Sequence, residues 1–293
     1  GAGQWGYGIE LDTGGNIHVT GYFYGQVDFD PGPGTYFLQS VTDGFRSYYE
    51  AFVTKLDPNG NFIWAKQMAR AVPTSFFGSG IAIDVNANGN VYTVGIFPET
   101  TDFDPGPGTY NMTSNGFNDA YLSVLDQSGN FIAAKKVAGG SNGDWPNSVH
   151  VDAAGNVYIS GYFRSTADFD PCTPVYSMTS SGGEDAFFLK YTVPSVTITS
   201  STGTICPGNL VTFTATPTNG GLSPLYQWQV NGADVGSNSP TFATTSLQNG
   251  DEVRVILITN PTCTPPSGDT SNVITINVVA APVASVSIAA SET

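Results

Sequence analysis

The feature that most constrains the fold of this chain is an internal repeat. Three segments share an Asp, a Gly-Asn pair, a run of alternating apolar residues and an Asp-Phe-Asp-Pro motif. The Asn residues of their Gly-Asn pairs are Asn16, Asn90 and Asn156, which gives a period of roughly 70 residues. A period of this kind predicts an array of similar structural units rather than one continuous domain.

Each copy contains about four short runs in which apolar and polar residues alternate, and Gly-Asn, Asp-Pro or Asn-Gly pairs separate the runs. Alternation with a period of two predicts strands, and Gly-Asn between two strands predicts a hairpin. Four antiparallel strands per repeat is the content of a β-propeller blade. We therefore predict an all-β chain whose residues 1–192 form a partial propeller of three four-stranded blades, at about 1–68, 69–137 and 138–192.

The third copy differs from the first two at its end. Gly-Asn-Phe-Ile occurs at residues 60–63 and 129–132, but the third copy finishes at Tyr191 without it. Propellers commonly close with a strand from the other end of the chain, so we expect a strand outside this sequence to complete the last blade, with further blades upstream. The alternative is an open stack of three blades that is capped by a neighbour.

The composition changes after Thr192, where acidic repeats give way to Thr- and Val-rich strands. Six or seven short strands, with Trp228 on the third or fourth, predict an Ig-like β-sandwich over residues 193–280. Residues 281–293 resemble the start of this domain and are predicted to be a linker and the first strand of a further module. Cys206 precedes the second strand and Cys263 follows the sixth, so we expect a disulfide between these two strand ends.

The charge balance excludes several classes of protein. The sequence has nine Lys and Arg residues and 24 Asp and Glu residues, which gives a net charge of −15. This balance excludes a nucleic-acid binder that neutralises phosphates with basic residues. No run of about 18 apolar residues is present, so no membrane insertion is expected in this segment. The chain begins at Gly1 without a signal segment, and we expect a processed chain or a piece of a longer one. Its acidic, Thr-, Ser-, Asn- and Gly-rich composition is typical of extracellular β proteins.

The Asp-x-Asp pairs are the candidate metal ligands, and they recur once per copy. Residues two apart on a strand point to the same face, and two carboxylates with nearby loop carbonyls suit Ca²⁺. The competing interpretation is that each Asp-Pro segment starts a turn, in which the Asp side chain accepts hydrogen bonds from the backbone. The residues are Asp28, Asp30, Asp102, Asp104, Asp168 and Asp170.

No catalytic residue is assigned. The two His residues, His18 and His150, are interpreted as strand side chains without a repeated partner. A Gly-x-Ser-x-Gly pattern at residues 139–143 precedes Asp-Trp-Pro, which cannot begin the helix that a nucleophile elbow requires. Five further Asp residues precede Gly-Asn pairs and are expected to stabilise turns: Asp12, Asp57, Asp84, Asp126 and Asp152.

Aromatic residues recur beside a strand-ending Gly in each copy. We expect them to pack between blades, and the alternative is an exposed aromatic platform for a sugar. The residues are Tyr22, Phe23, Phe97, Tyr162 and Phe163.

Two sequence patterns resemble known families. The Asp-x-x-Gly-Asn-Val-Tyr-x-x-Gly-Tyr-Phe and Asp-Phe-Asp-Pro-Gly-Pro-Gly segments resemble the SBBP-type β-propeller repeats of large bacterial surface proteins. The segment from Thr204 to Thr216, with Tyr-Gln-Trp-Gln-Val-Asn-Gly after it, is similar to Ig-like or PKD-like modules of giant Bacteroidetes surface proteins. The resemblance implies a cell-surface location, type IX secretion and an adhesin-like role, including roles in gliding motility.

Three functions are compatible with these patterns. The first is a non-enzymatic structural or adhesive module of a large surface protein or fibre, in which the propeller makes contacts and tandem Ig-like domains form a stalk. Its partners would be other copies, other surface proteins or glycans. The second is a carbohydrate-binding propeller assisted by Ca²⁺, and the third is an enzyme whose catalytic part lies outside this segment.

Overall fold

The computed structural model describes residues 2–71, 77–169, 176–192, 194–220, 223–258 and 268–279. Within these ranges the regular secondary structure consists of strands, which confirms the all-β prediction. None of these segments forms a helix that is long and apolar enough to cross a membrane. The chain divides into two compact units between residues 193 and 194, where the composition changes.

The described residues of the first unit form eighteen strands. They are β1 Gly3–Leu11, β2 Ile17–Tyr24, β3 Gln26–Asp28, β4 Phe37–Gln39, β5 Glu50–Leu56, β6 Phe62–Met68, β7 Arg70–Ala71, β8 Ser79–Val85, β9 Val91–Phe97, β10 Thr100–Asp102, β11 Asn111–Thr113, β12 Asp119–Leu125, β13 Phe131–Gly140, β14 Trp145–Val151, β15 Val157–Phe163, β16 Thr166–Asp168, β17 Ser177–Thr179 and β18 Asp185–Tyr191.

Each repeat forms one antiparallel meander. The first has the strand order β1-β2-β5-β6, and the second contains β8-β9-β12-β13. The third is β14-β15-β18, with three strands, in line with the absence of a Gly-Asn-Phe-Ile segment from the third copy. All three are open sheets, and no sheet closes on itself in the part of the chain that the structure describes.

The turns between strands explain why the Gly-Asn pairs recur. Asp12 Oδ1 accepts hydrogen bonds from the backbone N–H groups of Gly14 and Asn16, each at 2.9 Å. Gly15 has a φ of 77°, a conformation that side chains disfavour. Asp57, Asp126 and Asp152 make the same contacts, which confirms their predicted role in turns.

The second repeat departs from this pattern, and the prediction for Asp84 is wrong. The residue that accepts the two backbone N–H groups is Asn86, from Asn88 and Asn90 at 3.0 Å each. The acceptor has to lie four residues before the Asn of the Gly-Asn pair, and Asp84 lies six before it. Asp84 is therefore available for another contact, described below.

Each repeat also contains a small hairpin that the sequence did not predict. The pairs are β3–β4, β10–β11 and β16–β17, and the Asp-Phe-Asp motif begins at the last residue of β3, β10 and β16. The Phe of each motif is buried and packs edge-on against a Phe at or next to the end of the preceding long strand. The ring-centroid distances are 5.4 Å for Phe23–Phe29, 5.2 Å for Phe97–Phe103 and 5.0 Å for Phe163–Phe169.

The sheets of the first unit pack face to face. One core lies between the first and second sheets and includes Val53 and Tyr121. A second core lies between the second and third sheets and includes Leu122 and Ile159. Since Tyr121 and Leu122 are successive residues of β12, they point to opposite faces of that strand, and the second sheet is buried on both sides.

In the second unit, the residues that the structure describes form ten strands. They are β19 Ser195–Ser200, β20 Thr204–Ile205, β21 Val211–Thr218, β22 Leu225–Val230, β23 Ala233–Val235, β24 Thr241–Thr244, β25 Glu252–Ile258, β26 Gly268–Thr270, β27 Ile274–Thr275 and β28 Asn277–Val278.

Two main sheets share one core in the second unit. One sheet has the order β19-β21-β24, and the other contains β23-β22-β25-β26, with β27 also paired to β25. Alternate residues of both sheets face inward, and Trp228 at the centre is fully buried beside Phe213 and Val255. The indole Nε1 of Trp228 donates to the Ser239 carbonyl at 2.9 Å, so its polar atom is satisfied.

Candidate ligand-binding face

The first strands of the three meanders lie beside one another. Strand β8 contacts β1 on one side and β14 on the other. Between them is a cavity of about 460 Å³, which we call the inner-strand pocket. Its lining residues are Tyr7, Phe77, Ser79, Ile81, Ile96, Trp145 and Asn147.

The three aromatic rings of the inner-strand pocket are supported by other rings. Tyr7 and Phe77 both contact the ring of Tyr22, at centroid distances of 5.6 and 5.3 Å. Trp145 stacks on Tyr162, with centroids 5.8 Å apart and an interplanar angle of 7°. The rings are therefore held in place by packing within the protein itself.

An aromatic cluster continues from the pocket along the first sheet. Trp5 stacks on Tyr22 at 5.0 Å and on Tyr24 at 5.9 Å, and Tyr49 packs edge-on against Tyr22 and Tyr24. Trp5 and Tyr7 keep 46% and 57% of their surface exposed. Burial raises the pKa of Tyr22, and its hydrogen bond with Tyr7 raises it further, so the Tyr22 hydroxyl is protonated at neutral pH.

The predicted aromatic residues divide into two groups. Phe97 and Phe163 belong to the cores between sheets, as the packing interpretation predicts, whereas Phe23 is buried within the first repeat. Tyr22 and Tyr162 lie behind the pocket and support its rings. The sequence did not identify Tyr7, Phe77 and Asn147 as pocket residues, because strands from different repeats bring them together.

The Asp-x-Asp pairs lie at the ends of the small hairpins. Asp28 ends β3, and Asp30 lies beyond it, so the premise that both carboxylates stand on one strand face is wrong. Asp28 Oδ1 accepts the N–H groups of Asp30 at 3.1 Å and Tyr36 at 2.8 Å. Asp30 Oδ1 accepts the Gly32 N–H at 2.8 Å.

The second repeat reproduces these hydrogen bonds at Asp102 and Asp104, with distances of 2.7–3.1 Å. In the third, Asp168 Oδ1 accepts the Tyr176 N–H at 3.2 Å, and Asp170 lies outside the described residues. These are the contacts that the turn interpretation predicts. Among the described residues there is no group of three or more His, Cys, Asp or Glu that could hold a metal ion. The calcium site stays a prediction.

We expect a calcium chelator to leave the melting temperature of the first unit unchanged. The Asp carboxylate oxygens already accept hydrogen bonds from the backbone of their own turns, so removing a cation would break none of these hydrogen bonds. Thermal denaturation of the same preparation with EGTA, and with added CaCl₂ as the matched condition, checks this. A melting temperature that falls with EGTA and recovers with CaCl₂ would instead favour the calcium interpretation.

Asp12 also belongs to a buried ionic group. Its Oδ2 lies 3.2 Å from His18 Nε2 and 3.1 Å from Lys55 Nζ, and all three side chains are at least nine-tenths buried. Burial acts to raise the pKa of Asp12, but hydrogen bonds from Asn16, His18 and Lys55 outweigh it and hold the pKa well below its usual range. His18 therefore has a carboxylate partner within its own repeat, and the group is structural in character.

Asp84 makes a link between two sheets. Its Oδ2 accepts the Val151 N–H at 2.6 Å and lies 3.0 Å from His150 Nδ1, both on β14. His150 therefore also has a carboxylate partner, and its side chain is mostly exposed. The contact ties the end of β8 to the end of β14.

A second buried acidic group lies around the residue 139–143 segment. Lys136 Nζ is 3.1 Å from Asp119 Oδ2, and Asp119 is fully buried. Asp144 is also fully buried, and its carboxylate accepts the N–H groups of Gly140 at 2.9 Å and Arg164 at 3.4 Å. Burial raises the pKa of Asp144 to about 6, and the nearby Asp119 adds to this effect.

We expect Asp144→Asn to gain stability relative to the native chain as pH rises from about 4 to about 6. The folded pKa of about 6 exceeds the unfolded value of 3.8, so the folded state binds the proton more tightly. The tighter proton binding by Asp144 in the folded state therefore stabilises the native chain fully below pH 4, and this stabilisation is lost as the pH rises through the folded pKa. The relative gain is on the order of 3 kcal/mol, measured by urea denaturation across this pH range.

Asp152→Asn is the matched control, because its effect on stability should depend on pH in the opposite direction. Hydrogen bonds from Asn156 lower the pKa of Asp152 to about 2, so its contribution is present above the unfolded value and is lost as pH falls. The Asn variant should lose stability relative to the native chain near neutral pH and recover it near pH 2. If the unfolding free energies of the two variants depended on pH in the same way, the opposite pKa shifts of Asp144 and Asp152 would be contradicted.

The predicted disulfide is only partly within the described residues. Cys206 is half-buried after β20, whereas Cys263 lies outside the described residues. The Cys206–Cys263 pairing therefore stays a prediction.

Comparisons with known proteins gave matches among solved structures alone. No family model matches the chain, and no curated protein matches it. The N-terminal four Ig domains of Dscam1 isoform 1.9 match with 10% identity and a TM-score of 0.27, covering 95% of this chain and 99% of that one. The mouse nectin-like molecule 4 ectodomain gives 11% identity and a TM-score of 0.26, covering 95% of this chain and 100% of that one.

Murine CEACAM1b gives 11% identity and a TM-score of 0.25, covering 67% of this chain and 95% of that one. TM-scores of this size support no argument about topology or function. The fold assignment therefore rests on the strands and cores described above.

Proposed function

We propose that this chain is a non-enzymatic extracellular module of a large bacterial surface protein or fibre, with a structural and adhesive role. Support comes from two self-contained β units, each with its own apolar core. Modules that bury their own cores can be joined in series, so a protein gains length by adding units. The family resemblance of the repeats points in the same direction.

The first unit is proposed to be a set of propeller blades, and the second an Ig-like sandwich that acts as part of a stalk. The blade assignment is supported by three repeated antiparallel meanders, two of four strands and one of three, which stack face to face with apolar residues between them. The Ig-like assignment is supported by two antiparallel sheets around the buried Trp228.

The observation that carries the adhesive role is the exposure of strand β1. Ile9 and Leu11 keep 69% and 56% of their surface exposed. A β-bulge between Gly6 and Gly8 reverses the alternation of side chains, so Ile9 and Leu11 lie on the opposite face of the sheet from Trp5. Adjacent exposed apolar side chains of this kind mark interaction surfaces. We call these two residues the β1 row, and we propose that it contacts other copies of the chain.

Sedimentation velocity over a concentration series tests this proposal. We expect the native chain to self-associate and the double variant Ile9→Lys, Leu11→Lys to remain monomeric, because two charges cannot enter an apolar contact unpaired. Leu210→Lys is the matched control, since Leu210 is 63% exposed in the second unit. The β1 row would be ruled out as the contact if the native chain stayed monomeric at all concentrations. It would also be ruled out if Leu210→Lys abolished self-association as completely as the double variant does.

A second candidate is a carbohydrate-binding module, with or without Ca²⁺. It is favoured by the inner-strand pocket, whose rings are held in place by other aromatic residues. An enzymatic role would depend on residues outside this segment and has no supporting arrangement of side chains among the residues that the structure describes.

A further inference from the structure

We infer that the inner-strand pocket binds one neutral pyranose unit of a glycan. The inference rests on the proposed adhesive function, because it names a ligand through which the first unit would attach to a surface. Three properties of the pocket support it: its size, the rigidity of its rings and the charge of its lining.

The size of the pocket suits a sugar unit. Its volume of about 460 Å³ falls within the range of small-molecule sites. Its lining comes mainly from the first strands of the three sheets, with Ile96 on β9 and Phe77 just before β8, so most of its walls belong to regular secondary structure. Sites built on strands hold their geometry better than sites on loops.

The rings of the pocket offer the apolar surface that a pyranose recognises. The C–H groups on one face of a pyranose are apolar and pack on aromatic rings, whereas its hydroxyls lie around the edge. Tyr7, Phe77 and Trp145 provide three such rings, and each is supported by Tyr22 or Tyr162. Because the rings are already fixed, binding costs little side-chain entropy.

The polar groups of the pocket are few and neutral. Asn147 is exposed and carries both a donor and an acceptor, which matches the mixed hydrogen-bonding of a sugar hydroxyl. Ser79 Oγ donates to the Gly80 carbonyl at 3.0 Å, which leaves its lone pairs as acceptors. The lining residues named above carry no charge, and the net charge of −15 disfavours anionic glycans.

The experiment is a microarray of neutral oligosaccharides of glucose, mannose, galactose, xylose and N-acetylglucosamine. Each hit is then titrated in solution by tryptophan fluorescence. We expect the native chain to bind at least one probe. Tyr7→Ala and Trp145→Ala should each weaken that binding by about tenfold or more, since each removes a stacking surface. Asn147→Ala should weaken it by roughly threefold.

Tyr176→Ala is the matched control, because Tyr176 is 63% exposed and does not line the pocket, and it should bind as the native chain does. If Trp145→Ala fails to fold, Tyr7→Ala and Asn147→Ala decide the outcome, since both side chains are exposed. No binding of any probe by the native chain overturns the inference. So does binding that survives in both Tyr7→Ala and Asn147→Ala.

The failure of this inference can be told apart from failure of the proposed function. Self-association of the native chain without glycan binding would overturn the pocket assignment and leave the β1 row contact in place. Glycan binding by a strictly monomeric chain would overturn the β1 row contact and retain the pocket. The double variant Ile9→Lys, Leu11→Lys should bind the sugar probe unchanged.

Discussion

Gly95→Ala is expected to destabilise the first unit by more than about 3 kcal/mol. A Cβ at Gly95 would lie 1.9 Å from the Ser79 carbonyl oxygen and 2.8 Å from the Tyr121 ring. The first contact is with backbone of the paired strand, which cannot move without breaking the β8–β9 ladder. The register of this ladder shifts next to the pair Gly80–Gly95, so the strands approach closely there.

The same constraint is repeated in the other two sheets. A Cβ at Gly21 would lie 1.8 Å from the Trp5 carbonyl oxygen, and a Cβ at Gly161 would lie 2.1 Å from the Trp145 carbonyl oxygen. We therefore expect Gly21→Ala and Gly161→Ala to behave like Gly95→Ala. These positions are glycine in all three repeats because any side chain would meet the neighbouring backbone.

Urea denaturation followed by far-UV circular dichroism measures the effect. Gly183→Ala is the control in the same unit, because a Cβ there has no neighbour within 4 Å. It should change the unfolding free energy by less than about 0.5 kcal/mol. A Gly95→Ala variant as stable as Gly183→Ala would show that the close approach of β8 and β9 is not required.

The second large effect is expected for Trp228→Ala, which should destabilise the second unit by about 3–5 kcal/mol. The ring is fully buried and packs against Phe242 and Phe213, with centroid distances of 5.7 and 6.3 Å. Its removal leaves a cavity between the two sheets and frees the Ser239 carbonyl. Both effects act on the folded state alone.

Hydrogen exchange measured by mass spectrometry locates this effect. Peptides from β21 and β25 should lose protection in Trp228→Ala, whereas peptides from β9 and β12 should keep theirs, because the first unit has separate cores. Leu225→Ala is the matched control on the same strand, since Leu225 is 48% exposed. Loss of protection in β9 and β12 as well would mean that the two units do not unfold separately.

Much of the fold could be predicted from local signals. Alternating apolar residues specify strands because successive side chains point to opposite faces, and the Asp and Gly-Asn residues specify turns through contacts that span only four residues. These signals identified the long strands and the role of Asp12, Asp57, Asp126 and Asp152.

The remaining features depend on contacts between distant residues. The inner-strand pocket combines Tyr7, Phe77 and Trp145, which lie in different repeats, and no local pattern indicates that they meet. The small hairpins were missed because their strands have only three residues and are held by the Phe of the Asp-Phe-Asp motif. From the sequence, the two carboxylates of that motif are candidate metal ligands, whereas in the structure the Phe ring between them makes the main packing contact.

The strand order of the first unit has a consequence for how such a protein can evolve. The long backbone ladders join strands that follow one another within a single repeat: β1-β2-β5-β6, β8-β9-β12-β13 and β14-β15-β18. Duplication or deletion of a whole repeat would therefore leave the long ladders of the others intact. It would alter only the contacts between repeats, which include the apolar faces, the short β13–β16 pairing and the Asp84–Val151 hydrogen bond. Recombination between the repeated motifs can thus vary the copy number without breaking a long ladder.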